Sequence, residues 1–206
     1  MLEHVPHWLG AMMRNVRAGH SKLTIVQEGI VTTEAFIDLS SPAFANGGRL
    51  PERFTADGAG VSPPLIWGNV PAEADSLALI VEDPDAPAVN PLVHAIVWNI
   101  PADERRLAEG AIAADGPGLP DGRDVGRSSF GEIWLPPDPP SGHGPHDYVF
   151  QLFALAGAPK IESNPGRSAF VEAITGHVVA AGILVGSYSR GEAVDADVAG
   201  SRTALA

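Results

Sequence analysis

Long apolar runs dominate this chain, and their lengths predict strands rather than helices. Residues 76–82 and 92–100 are continuously apolar instead of alternating, the pattern of strands in a sheet covered on both faces. Residues 148–155 form a third run of this kind, and residues 183–188 read as the last strand. Shorter runs at 35–39 and 65–67 predict further strands. Two segments carry helical spacing instead. Trp8, Leu9, Met12, Met13 and Val16 share one face after Pro6, and Phe170, Ile174, Val178 and Ala181 share another, with Gly182 at the expected C-cap. The organisation expected is a helical extension over residues 1–30, one β-rich domain over 31–190 and a loose tail over 191–206. Within the domain, residues 103–145 are rich in glycine, proline and aspartate. Loops this long are usually functional or partly disordered.

Composition narrows the function classes. The 206 residues carry 13 Lys and Arg against 25 Asp and Glu, a net charge of −12. That field disfavours nucleic acid or an anionic membrane surface as partner. With no cysteine, disulfides, thiolate nucleophiles and Cys-ligated metals are excluded. Residues 1–23 hold no uninterrupted apolar stretch of the kind an export signal needs, and no run approaches the ~18 residues of a membrane span. A cytoplasmic protein is expected. Phosphate-loop, dinucleotide, HExxH and GxSxG signatures are all missing, so the chain is expected to be no enzyme and to need no cofactor.

Three polar insertions interrupt the apolar runs. Asp83-Pro84-Asp85-Ala86-Pro87 follows the first run directly, His94 stands inside the second, and residues 136–148 carry Pro139, Gly142, His143, Gly144, His146 and Tyr148 into the third. Each has a plain structural account: a rigid proline turn, a satisfied core histidine, a glycine turn. Together they set imidazole and phenol hydrogen-bond donors, a carboxylate and conformationally free glycines at the ends of predicted strands.

The order DPDAP, then HxxVxNIP, then PPxGxGPHxY entering a strand resembles the phosphatidylethanolamine-binding protein family, whose members include Raf-kinase-inhibitor-like proteins. Further stretches resemble its bacterial branch: 44–51, 56–58, 62–67, 176–180 and 184–188, so the likeness runs from about Phe36 to Arg190. The resemblance implies a mainly β protein, an antiparallel β-sandwich with an N-terminal and a C-terminal helix. It also implies a small pocket at one end that takes phosphate-like groups, including phospholipid head groups. Carried over by motif, the ligand-binding residues are Asp83, Pro87, His94, His146 and Tyr148, with Pro139, Gly142 and Gly144 in a loop forming one wall. Three departures from the family pattern stand out: Asp147 where an arginine is usual, Ala95 where an aromatic is common, and the proline-rich segment around Asp138. These predict weaker phosphate binding or a shifted preference.

The expected function is therefore a binding module for a phosphate-like or other anionic small molecule, with a regulatory role as its extension. The alternative is an interaction protein that inhibits a kinase or protease by docking. A third reading is metal-assisted hydrolysis by Asp83, His94, His143, His146 and Asp147, although no metal site is expected. Trp67, Trp98 and His177 are expected to pack structurally, Trp134 to sit at an interface or pocket mouth, and the leader helix to offer a homodimer seam.

Overall fold

Alternation within the apolar runs decides how the layers pack. In the computed structural model, which describes residues 7–113 and 122–190, Leu77, Leu79 and Val81 point into one core while Ala78 and Ile80 point into another. The elements in chain order are α1 (His7–Met12), β1 (Asp38–Ser40), β2 (Gly48–Arg49), β3 (Leu65–Gly68), β4 (Ser76–Asp83) and β5 (Leu92–Pro101). They continue with β6 (Arg106–Leu107), β7 (Asp124–Val125), β8 (His146–Leu155), α2 (Arg167–Ile174) and β9 (Val178–Tyr188). A six-stranded sheet runs β2-β9-β8-β4-β5-β7, and a three-stranded sheet runs β1-β3-β6. Among the described residues every pairing of these strands is antiparallel except β2 with β9.

The first core lies between the two sheets, where Leu39, Leu65, Trp67 and Leu107 meet Leu77, Leu79, Val97 and Phe150. The second lies on the opposite face, where Phe170 and Ile174 of α2 and Ile30 of the leader cover Ile80, Ile96 and Phe153. The double cover explains why β4 and β5 read as unbroken apolar runs. Fully buried Glu82 interrupts one of them. It accepts from the Thr24 amide, Gln151 Nε2 and Arg167 Nε, while Gln151 Oε1 accepts from the Ile25 amide. One carboxylate thus ties the leader and α2 to the sheet.

Both helices are shorter than their spacing predicts. α1 stops at Met12, and Met12 and Val16 face solvent at 73% and 52% exposure. Beyond it the leader runs across the body: Ala18 and Gly19 donate to the carbonyls of Ala86 and Pro84, and Lys22 to that of Val89. α2 ends at Ile174 because Gly176, at φ +80°, turns the chain, so Val178 and Ala181 are strand residues of β9. Trp67 and Trp98 are buried as expected, and so is Trp134, whose indole donates to the Gly60 carbonyl. Trp134 is therefore a core residue rather than a pocket rim. His177 lies in the turn after α2 and donates from Nδ1 to the Ala156 carbonyl. The expected tail over 191–206, residues 114–121 of the long loop and the Trp8 side chain lie outside the described residues. No helix among those described is long and apolar enough to cross a membrane.

Candidate functional site

Three chain segments meet where β4 ends, β5 begins and β8 begins. Asp83 closes β4, and its Oδ1 accepts from the amides of Asp85 and Ala86 at 2.7 and 2.9 Å. This Asx turn fixes the DPDAP segment, since the prolines already set φ on either side. His94 comes from β5, which pairs with β4, and His146 and Tyr148 come from β8 on the other side of β4. The segments enclose a hollow of about 280 Å³ lined by Asp83, Pro87, His94, Asp138, Pro140 and His146, with Phe130 and Leu135 among its apolar walls.

Of the residues singled out in the sequence, Asp83, Pro87, His94 and His146 line this hollow. Tyr148 packs against His94, ring edge to face at 5.0 Å, is almost fully buried and is not part of the lining. Pro139, Gly142 and Gly144 do not line it; Pro140 forms that wall instead. The two glycines, at φ +82° and +101°, serve the turn that carries His143 into the interior. Asp138 faces the hollow, and Arg190 pairs with it at 2.6 Å while also bonding Asp57. Those bonds from Arg190 hold the Asp57 carboxyl below its ordinary value. Asp147 points to the leader, 3.2 Å from His20. Ala95 is buried in the first core. A larger open groove of about 860 Å³, bordered by Trp98, Asn99, Arg123 and Lys160, contains none of the candidate residues.

The histidines differ sharply in what they have left to offer. His146 spends both nitrogens: Nδ1 on Asp83 Oδ2 at 2.7 Å and Nε2 on His143 Nδ1 at 2.7 Å. His143 in turn donates from Nε2 to the Met13 carbonyl of the leader at 2.9 Å. His94 Nδ1 sits 2.7 Å from the Leu135 carbonyl, and since a carbonyl only accepts, Nδ1 carries the proton there. Its Nε2 is buried without a partner, and so is the Tyr148 hydroxyl. Burial pushes the Tyr148 phenol well above its ordinary value, so the hydroxyl keeps its proton.

Burial also lowers the imidazole pKa values of His94 and His143. For His94 the Asp83 carboxylate pulls the other way, and for His143 the His146 ring adds to the lowering. A histidine lowered on folding contributes stability above its unfolded value and loses it as pH falls. Stability should therefore drop from pH 7 to pH 5, through the ordinary imidazole value of 6.5. Denaturant melts across that range check this, and a His94→Gln variant should show a shallower slope. A wild-type midpoint that stays flat contradicts the expectation.

The fold and the arrangement of these three segments define a class. A family model for phosphatidylethanolamine-binding protein matches residues 40–189. A UPF0098 protein of Methanothermobacter thermautotrophicus is 42% identical over 156 residues, 75% of this chain and 100% of that protein. A UPF0098 protein of Chlamydia pneumoniae is 39% identical over 158 residues, 75% of this chain and 99% of its own length. Among solved structures, E. coli YbcL, described as a new member of the mammalian family, superposes with a TM-score of 0.69 at 30% identity. The match covers 75% of this chain and 99% of YbcL. The chain belongs to the phosphatidylethanolamine-binding protein family.

Sequence inspection missed two features of the site. The link from His143 to Met13 ends on a backbone carbonyl, which leaves no side-chain signature. The Arg190 pairing with Asp138 joins residues far apart in the chain, and only their opposite charges could have suggested it.

Proposed function

We propose that this protein is a small-ligand receptor that holds a phosphate-like head group in the hollow between Asp83, Pro87, His94 and His146, without turning the ligand over. The observation that carries this reading is the pair of buried polar atoms without partners, His94 Nε2 and the Tyr148 hydroxyl, the first on a lining residue and the second on the ring packed against it. Leaving such atoms unpaired costs about 1–3 kcal/mol each, and a bound polar group recovers that. The apolar walls suit the non-polar remainder of a small molecule. Net charge of −12 does not oppose a local anion, because most surface charge lies beyond a screening length of about 8 Å. Binding without turnover fits a site whose best placed histidine, His146, has both nitrogens engaged inside the protein.

Calorimetric titration with inorganic phosphate and phosphoethanolamine tests the reading. Both should bind, and Tyr148→Phe should weaken them by about tenfold or more, the worth of one hydrogen bond to a charged group. Equal affinity in wild type and Tyr148→Phe, with the variant folded, speaks against the hollow as the site.

A further inference from the structure

We infer that the hollow selects phosphate groups that carry their own proton, monoesters or free phosphate in the singly protonated form, and rejects phosphodiesters and sulfate. The inference rests on the ligand-binding reading above and sharpens it.

The argument is a donor inventory. His94 reaches the hollow with Nδ1–H already committed to Leu135, so its neutral ring presents a lone pair at Nε2. His146 has both nitrogens engaged, with Asp83 and with His143, and so has no N–H to spare for a ligand. Asp83 and Asp138 add carboxylates to the lining, and Pro87, Pro136 and Pro140 bring no amide hydrogens. The Tyr148 hydroxyl is a donor without a partner. A fully ionised anion placed here meets one donor, a lone pair and two carboxylates, of which only Asp138 has a cationic partner, Arg190. A P–O–H group reverses the first clash: its proton goes to His94 Nε2, and an ionised oxygen of the same phosphate accepts from Tyr148. One lone pair and one hydroxyl are the complement of a head group that both donates and accepts.

The competing mechanism has His94 take up a proton and donate. The groups facing that ring are Asp83, Asp138, His146 and Tyr148, with the Leu135 carbonyl on its other nitrogen. Burial, the largest influence on the ring, favours the neutral form, His146 adds to it, and the two carboxylates oppose it. Geometry points the same way: Nδ1 carries its proton to Leu135, and a second proton on Nε2 would be buried with no acceptor, so Nε2 keeps its lone pair.

The two mechanisms differ in the ligands they admit. A phosphate monoester loses its second proton near a pKa of about 6, so its singly protonated form is present near neutrality. Dimethyl phosphate and sulfate carry no proton in this range. A protonated His94 would accept all of them.

The test is calorimetry on the full chain with inorganic phosphate, methyl phosphate, dimethyl phosphate and sulfate at pH 6 and pH 8. Flotation with phosphatidylethanolamine vesicles adds the lipid source of the same chemistry as a diester. Phosphate and methyl phosphate should bind, more tightly at pH 6. Dimethyl phosphate and sulfate should bind at least about tenfold more weakly, since the wrong proton count leaves His94 Nε2 unpaired. The vesicles should not retain the protein. Sulfate or dimethyl phosphate within about threefold of methyl phosphate, or retention on the vesicles, overturns the selectivity while leaving the receptor reading intact. Failure of every ligand to bind overturns both.

Discussion

Replacing Arg167 with leucine should lower the free energy of unfolding by about 3–5 kcal/mol and release the leader from the sheet. Glu82 is fully buried at the end of β4, and Arg167 is its cationic partner. Removing the guanidinium leaves a buried carboxylate holding only the Thr24 amide and Gln151. The same arginine also donates to the Lys22 carbonyl, so two leader attachments depend on it. The charge is the costly part, and this gives the prediction its control. Arg167→Leu combined with Glu82→Gln should recover most of the loss, because a neutral amide oxygen can still accept from Thr24 and Gln151. Urea unfolding measures the stability, and limited proteolysis around residues 20–30 reports on the leader. A loss below about 1 kcal/mol in the single variant, or no recovery in the double, contradicts this account.

The main strands were legible because burial on both faces leaves an unmistakable trace. β4, β5 and β8 each present seven or more buried positions, and no helix of that length is apolar all round without being a core helix. The two-residue strands β2, β6 and β7 left no trace. Gly48-Arg49, Arg106-Leu107 and Asp124-Val125 are extended because a neighbour's backbone pairs with them, not because of their own side chains. At residues 170–181 the spacing misled. Phe170, Ile174, Val178 and Ala181 do all face the second core, but the last two reach it from a strand. Burial is a property of position, and a helix followed by a strand can imitate one longer helix.

The site divides in the same way. Asp83, Pro87, His94 and His146 were legible because each sits at a strand end or in a motif contiguous with one, and strand pairing brings those ends together. What a motif cannot show is how many hydrogen bonds each ring has already spent. The sequence suggested two imidazoles facing an anion. In the structure one of them is engaged on both sides and the other offers a lone pair. Asp138 was expected to repel an anion, and Arg190 partly answers that charge. Asp147, one of the departures from the expected pattern, faces His20 of the leader and lies outside the lining of the hollow.

The second large effect concerns Asp83, and it follows from counting protons. The row Asp83–His146–His143–Met13 contains three hydrogen bonds and therefore needs three protons. Two neutral imidazoles bring two. With the Met13 carbonyl accepting from His143 Nε2, a His143 kept neutral by burial accepts at Nδ1 from His146 Nε2, and the third proton lies between His146 Nδ1 and Asp83. Asp83→Leu removes that terminus, the acceptor for the Asp85 and Ala86 amides, and the partner of a buried ring. The expected cost is about 3–5 kcal/mol, with the leader near Met13 opened to proteolysis. Asp83→Asn should cost no more than about 1 kcal/mol. Its carbonyl oxygen can accept from the same two amides while its NH₂ group donates to His146 Nδ1, so the row closes with both rings neutral. His143→Leu separates the two ends, freeing Met13 while leaving the Asp83–His146 bond in place, so it should open the leader at a smaller cost than Asp83→Leu. An Asn variant as unstable as the Leu variant would mean that the ionised carboxylate itself, rather than the number of protons in the row, holds the leader against the body.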